Sequence, residues 1–255
     1  MSLSIGQTFV VGLGEVGRRL SGALASSGTA VIPISRKCGW EHLSADRDAP
    51  VLVCVREEAL TDAVSRLHGV AAERLVFVQN GWIRPALAGL PGCSRGLIWF
   101  TSKGDFYKVL RPSIFSGPAV ATITEALVHG GIAATAVDAR PFAAAEAEKM
   151  GFNCVVGLPL AVHALSLGEY LVRHAAEAEV VFAEAVSITA RALGVVPSDG
   201  WWPEFLRAAE PLGWVRSSVA KALEYRNGAV VRLARELGER TPANERLLAA
   251  TGFQI

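Results

Sequence analysis

Cysteine is scarce, and Cys38, Cys54, Cys93 and Cys154 stand far apart without a CxxC pair. That excludes a cysteine-built metal centre. The N-terminus also lacks a charged segment running into a signal-like apolar stretch, so we expect a reducing, cytoplasmic compartment. Charge is sparse as well, at 19% Asp, Glu, Lys and Arg and a formal net charge of +1. With no tract rich in lysine and arginine and no aromatic-basic stripe, nothing in the chain offers a track for a nucleic-acid backbone. His42, His68, His129, His163 and His174 are scattered, none spaced with cysteine or carboxylate as metal ligands are, so no metal is expected. No GxSxG elbow is present, which removes support for hydrolase chemistry.

Residues 150–168 contain no charged side chain and are long enough to be counted as a membrane span. Asn153, Pro159 and His163, with Gly151, Gly157 and Gly168, are poor choices for a lipid-facing helix. We read the stretch as buried core lining a pocket, and expect no membrane partner.

What the chain does have is FVVGLGEVGRRL, residues 9–20. Phe9, Val10 and Val11 predict a buried strand, and residues 15–24 a helix with Val16, Leu20 and Leu24 on one face. Gly12 would permit a tight turn, Gly14 a close approach to pyrophosphate, and Gly17 tight packing of helix on strand. Unpaired N–H groups at the helix start, over Leu13, Gly14, Glu15 and Val16, would receive the anion. The competing reading is a plain strand-turn-helix corner. A second apolar run, residues 30–34, ends in Ser35, Arg36 and Lys37 rather than in the carboxylate that meets a ribose hydroxyl. Two cations and a hydroxyl suit a 2′-phosphate, so the expected cofactor is NADP(H); the alternative is a solvated basic turn.

Further apolar runs at 51–55, 75–78, 96–100 and 134–138 alternate with helical spacing at 58–67 and 122–129. This is the rhythm of a doubly wound parallel sheet. Past Pro141 strand signals nearly vanish, and residues 143–150, 165–193, 202–209 and 215–237 read as helices. The expected fold is α/β: a Rossmann-type parallel-sheet domain, residues 1–141, followed by an all-helical substrate-binding domain, residues 142–255. The 255 residues suffice for both. Chemistry is then expected between the two, near the C-terminal ends of the strands.

Two short stretches belong to such a site. In VQNGW a strand ends on Asn80 and Gly81, placing an amide and a close-approach residue there; the alternative is an ordinary strand-ending turn. In EAEKMGFNC, Lys149 and Asn153 are four apart and share a helix face, and a lysine beside so apolar a run is unusual; the alternative is a solvated residue at a helix start.

At this point the sequence resembles the ketopantoate reductases (2-dehydropantoate 2-reductases). The likeness rests on GLGEVG, Arg36 after the second strand, QNG, the K-x-x-x-N of Lys149 and Asn153, Ser217-Ser218, NGAVVRLARELG at 227–238, and TPANERL. It implies NADPH-dependent reduction of a keto acid, with Lys149 as the catalytic lysine that holds the substrate carbonyl and supplies the proton. Asn153 and Asn80 match amides that position substrate and cofactor, Ser218 a serine that binds the substrate carboxylate, and Arg56 a cation near the cofactor phosphate. The sequence departs from the family at Gly157, where a second asparagine is usual, and at Ala222, where an acid is usual. Glu224 either substitutes from the next turn or corresponds to a neighbouring family carboxylate without a catalytic part; the second reading is favoured, because positions 222 and 224 point to different faces of a helix. These departures bear on the substrate, which need not be 2-dehydropantoate. The competing class is a non-catalytic NADPH-binding sensor, or a reductase of another ketone or imine. Trp201 and Trp202 wall an apolar pocket or dock their loop on the helical core, and the long apolar helix at 165–193 could support a homodimer.

Overall fold

The computed structural model describes residues 6–46, 48–104, 106–217 and 222–253. They divide into two compact units, Met1–Gln79 with Ile83–Phe142 and Asn80–Trp82 with Ala143–Ile255.

The first unit alternates strands and helices: β1 (Gln7–Val11), α1 (Glu15–Ser26), β2 (Ala30–Ile34), α2 (His42–Ala45), β3 (Val51–Val53), α3 (Leu60–Arg66) and β4 (Leu75–Phe77). β5 (Ser94–Leu97), β6 (Phe100–Lys103), β7 (Phe106–Val109), β8 (Ser113–Ser116), α4 (Val120–His129) and β9 (Ala134–Ala136) complete it. Seven strands make one sheet in the order β2-β1-β3-β4-β5-β8-β9, and β6 and β7 form a separate hairpin. β1 is central because Phe9, Val10 and Val11 are apolar on both faces. Its alternate residue Val10 joins Leu52, Val76 and Phe115 beneath Leu20 and Leu24 of α1 and Ile123 and Leu127 of α4. Each such fully buried leucine contributes about 1.5–3 kcal/mol.

Two expectations are corrected here. The sheet is not parallel throughout, since β5 and β8 run antiparallel. The apolar run 96–100 is not one strand either: β5 ends at Leu97, and Phe100 opens the hairpin, pairing with Val109. The chain is pinned between them, where the Trp99 N–H donates to Ser113 Oγ and the Trp99 carbonyl accepts from Leu110 N–H. β7 is FYKV, short and interrupted by Lys108, and most of its residues are exposed despite their apolar character.

α5 (Ala139–Val155) starts in the first unit and runs into the second. There follow α6 (Leu158–His163), α7 (Leu167–Arg173), α8 (Ala175–Leu193), α9 (Trp201–Ala209), α10 (Asn227–Glu236) and α11 (Pro242–Ala249). Gly151 lets α5 approach α8 closely, since a Cβ there would lie 2.7 Å from the Phe182 ring. Phe152, Phe182, Trp202 and Phe205 interlock beside it, with Trp202 stacked on Phe205 at 5.0 Å, so Trp202 docks its helix on the core.

The expected helix at 165–193 is two helices. α7 opens with a capping box between Ser166 and Glu169, and His174, at ψ 35, breaks the path before α8. The expected helix at 215–237 begins only at Asn227 among the described residues. Ala222 takes a left-handed φ of 52, which no helix accommodates, and Leu223–Tyr225 make a single tight turn. Among the described residues no helix is long and apolar enough to cross a membrane.

Candidate functional site

In the first unit the glycine run occupies the turn between β1 and α1. Gly12 has φ +92, and a Cβ on it would meet Val55 atoms at 3.0 Å. A Cβ on Gly17 would lie 2.0 Å from the Gly12 carbonyl oxygen, so side chains are barred there by backbone. Gly14 differs: nothing approaches its would-be Cβ within 4 Å, and its face is open. It caps α1 with no side-chain hydrogen bond to the helix N–H groups. Leu13 and Glu15 are exposed beside it, while Val16 packs against the core. An open, uncapped start to a twelve-residue helix, pinned by two glycines that tolerate nothing larger, fits the pyrophosphate of a dinucleotide.

The C-terminal ends of the neighbouring strands supply the charges. The Gly12 N–H donates to the Ile34 carbonyl at 2.9 Å, which brings the Ser35–Lys37 segment up to the glycine turn. Ser35 closes a tight turn: its hydroxyl accepts from Lys37 N–H at 3.2 Å, and its carbonyl accepts from Trp40 Nε1 at 2.7 Å. Arg36 and Lys37 are exposed, and Arg66 Nη1 holds the Arg36 carbonyl at 3.0 Å. Arg56, also exposed, follows Val55, the residue that crowds Gly12. β1 lies between β2 and β3, the point where chain order reverses and where doubly wound sheets bind ligands.

In the second unit Lys149 and Asn153 lie on one face of α5, 5% and 6% exposed. The Lys149 ammonium sits 4.7 Å from the centre of the Phe152 ring, a cation held over an aromatic face. Asn153 Nδ2 is buried and has no hydrogen-bond partner among the described residues. Such a donor costs about 1–3 kcal/mol unless something accepts from it. Asn80 is half-buried and belongs to this unit, because the Trp82 N–H donates to the Tyr225 carbonyl at 2.6 Å. Ser218 lies outside the described residues. Ala222 precedes the Leu223–Tyr225 turn and Glu224 lies within it, exposed, with its carbonyl accepting from Arg232 Nη2.

Behind α5 a buried amide network fixes its C-terminal end. Asn227 Nδ2 donates to the Cys154 carbonyl at 3.2 Å and to Asn244 Oδ1 at 2.8 Å. Glu184 in turn accepts from the Ala243 and Asn244 N–H groups at 2.9 and 3.0 Å, capping α11. Burial pushes the Cys154 thiol up to about 12, with the Arg226 charge pulling the other way.

Two of the five histidines, His163 and His174, meet in space. His163 Nε2 lies 2.7 Å from Glu177 Oε1, and the His163 and His174 rings stack at 4.1 Å. Tyr170 OH donates to Glu177 Oε1 at 3.2 Å, and Arg246 Nη2 to Oε2 at 2.9 Å. The donor atoms of His163, His174 and Glu177 fall within 4.8 Å of one another, a grouping the sequence reading missed. His174 and Glu177, three apart at a helix start, were the available signal. With Arg246 and His163 already on the carboxylate, the arrangement is an ion-paired anchor of α6 and α7 on α8.

No protein-family model and no curated protein matches the chain. Among solved structures, the arrangement is the fold of the ketopantoate reductases and of related dehydrogenases. A PanE/ApbA-family ketopantoate reductase from Ralstonia eutropha JMP134 superposes with a TM-score of 0.74 at 23% identity, over 95% of this chain and 96% of that one. A 2-dehydropantoate 2-reductase from Methylococcus capsulatus gives 0.74 at 18% identity, over 96% of each chain. A D-mandelate dehydrogenase in complex with NADH gives 0.72 at 15%, over 96% of this chain and 97% of that one. At such identities the likeness is one of fold.

Proposed function

We propose that the chain is an NADPH-dependent reductase of a 2-oxo acid, in which Lys149 holds the substrate carbonyl oxygen and gives it a proton. The observation that carries this reading is the pair on α5: a buried lysine ammonium and, one turn on, a buried amide nitrogen with no acceptor of its own. A small carbonyl compound supplies the acceptor that the Asn153 amide lacks and an oxygen for the Lys149 ammonium to hold. The dinucleotide, when bound on the Gly12–Gly17 turn, supplies the hydride. The Lys149 ammonium stabilises the negative charge that gathers on the carbonyl oxygen and neutralises it by proton transfer. Asn153 and Asn80 orient the substrate through their amides. Arg36 and Lys37, with no carboxylate between them and β2, favour a 2′-phosphate and hence NADP over NAD. The reductases and the NADH-bound dehydrogenase that share the fold support this reading.

The test is NADPH oxidation by the purified protein against a panel of 2-oxo acids, with Lys149→Ala alongside. The variant is expected to lose roughly 10²–10⁴ in turnover and to bind NADPH as before. Equal turnover in the variant removes Lys149 from the chemistry. NADPH binding with no oxidation by any acid identifies a cofactor-binding protein without the reaction.

A further inference from the structure

Lys149 and Asn153 begin a row on α5 that Gly157, four residues on, continues just beyond the helix end. Gly157 lies at φ −130 and ψ −92, outside the left-handed region. What it leaves is space. A Cβ at 157 would lie 3.2 Å from the Asn153 carbonyl oxygen and 3.6 Å from Nη1 of Arg226, so the guanidinium borders position 157.

Arg226 is held there at several points. It precedes Asn227, whose amide grips the Cys154 carbonyl on α5. It follows Tyr225, whose carbonyl takes the Trp82 N–H and crowds Gly81, where a Cβ would come within 2.3 Å of it. The left-handed Ala222 turns the chain into this position. One backbone segment therefore ties the guanidinium both to the row of Lys149 and Asn153 and to the segment that carries Asn80.

Six residues of helical rise, roughly 9 Å along the axis, separate position 149 from the end of α5 at Val155, and Gly157 lies beyond that end. A carboxylate adjoining the ketone that Lys149 holds would fall short of Arg226. A group at the other end of a short substrate chain would reach it. We infer that Arg226 binds an anionic group remote from the reacting carbonyl, and that the substrate is a 2-oxo dicarboxylate rather than a neutral-tailed 2-oxo acid. A guanidinium presents five N–H donors in a planar fork matched to a carboxylate, whereas Gly157 offers a hydroxyl or alkyl tail no side chain at all. This inference rests on the proposed function for the position of the ketone.

The experiment compares 2-oxoglutarate with 2-oxopentanoate, which have the same carbon chain and differ in the terminal carboxylate. Both kcat/KM with NADPH and calorimetric binding to the NADPH-loaded protein are measured for the wild type, Arg226→Gln and Arg226→Lys. The wild type is expected to favour 2-oxoglutarate by roughly tenfold or more, chiefly through KM; Arg226→Gln should abolish that ratio and Arg226→Lys restore part of it. Equal binding of the two acids by the wild type, or a ratio unmoved by Arg226→Gln while Arg226→Lys folds normally, overturns the inference. Discrimination in binding with no turnover of either acid upholds Arg226 and defeats the reductase reading. Turnover without discrimination does the reverse.

Discussion

The N–H of Trp82 donates to the carbonyl of Tyr225 at 2.6 Å, joining the segment that follows β4 to the turn that leads into α10. Between them Gly81 holds φ +81 with the Tyr225 carbonyl pressed against its Cα. Asn80 on one side and Arg226 on the other inherit their positions from this contact. Gly81→Ala would place a methyl 2.3 Å from that oxygen in a backbone conformation that disfavours it. It is expected to cost more than ~1 kcal/mol in denaturant unfolding and to raise KM for the keto acid; an unchanged unfolding midpoint and KM would show the contact to be dispensable.

The glycine turn separates folding from binding. At Gly17 a methyl meets the Gly12 carbonyl at 2.0 Å, so Gly17→Ala is expected to lower thermal stability and NADPH affinity together. At Gly14 no protein atom is near, so Gly14→Val is expected to keep the melting temperature and lose the cofactor. Thermal shift with and without NADPH distinguishes the two. A Gly14 variant that still binds tightly would move the pyrophosphate elsewhere.

Arg36 and Lys37 bear on the choice of cofactor. Replacing both with Gln removes two exposed cations from the end of β2. We expect roughly tenfold or greater loss in affinity for NADPH with little change for NADH, because each charged hydrogen bond to a phosphate is worth about 1.5–3 kcal/mol. Equal losses for both dinucleotides would deny the pair its 2′-phosphate.

Glu177 gives stability a pH dependence. Burial pushes its carboxyl up, but hydrogen bonds from His163, Arg246 and Tyr170 outweigh that and hold it below its ordinary value of 4.5. A carboxyl depressed by folding stabilises fully above the unfolded value, and loses that contribution as pH falls below 4.5 through the folded value. Glu177→Gln is expected to destabilise at pH 7 by about 1–3 kcal/mol and to flatten the decline below pH 4.5. Parallel acid profiles for the two proteins would remove Glu177 as its source.

The parts of the candidate site that were legible in the sequence are those whose geometry is local. A strand, three glycines and a helix follow one another within FVVGLGEVGRRL, so their spacing alone forecasts the turn. Lys149 and Asn153 share a face by helical period. Arg226 was not legible, because its nearness to Gly157 comes from the packing of α10's leading turn against the end of α5. The His163, His174 and Glu177 anchor joins segments distant in sequence, and the β6–β7 hairpin has strands of only four residues each with polar residues among the apolar ones.

Periodicity and glycine chemistry in the chain alone settled an α/β sheet ahead of a helical region, and which residues turn from β1 into α1, because backbone sterics and solvent exclusion act over a few residues. Only the tertiary structure decided that β8 runs against β5, that Asn80–Trp82 joins the helical unit, and that a guanidinium occupies the space beside Gly157. Those depend on contacts between distant segments, whose formation is governed by how whole elements pack.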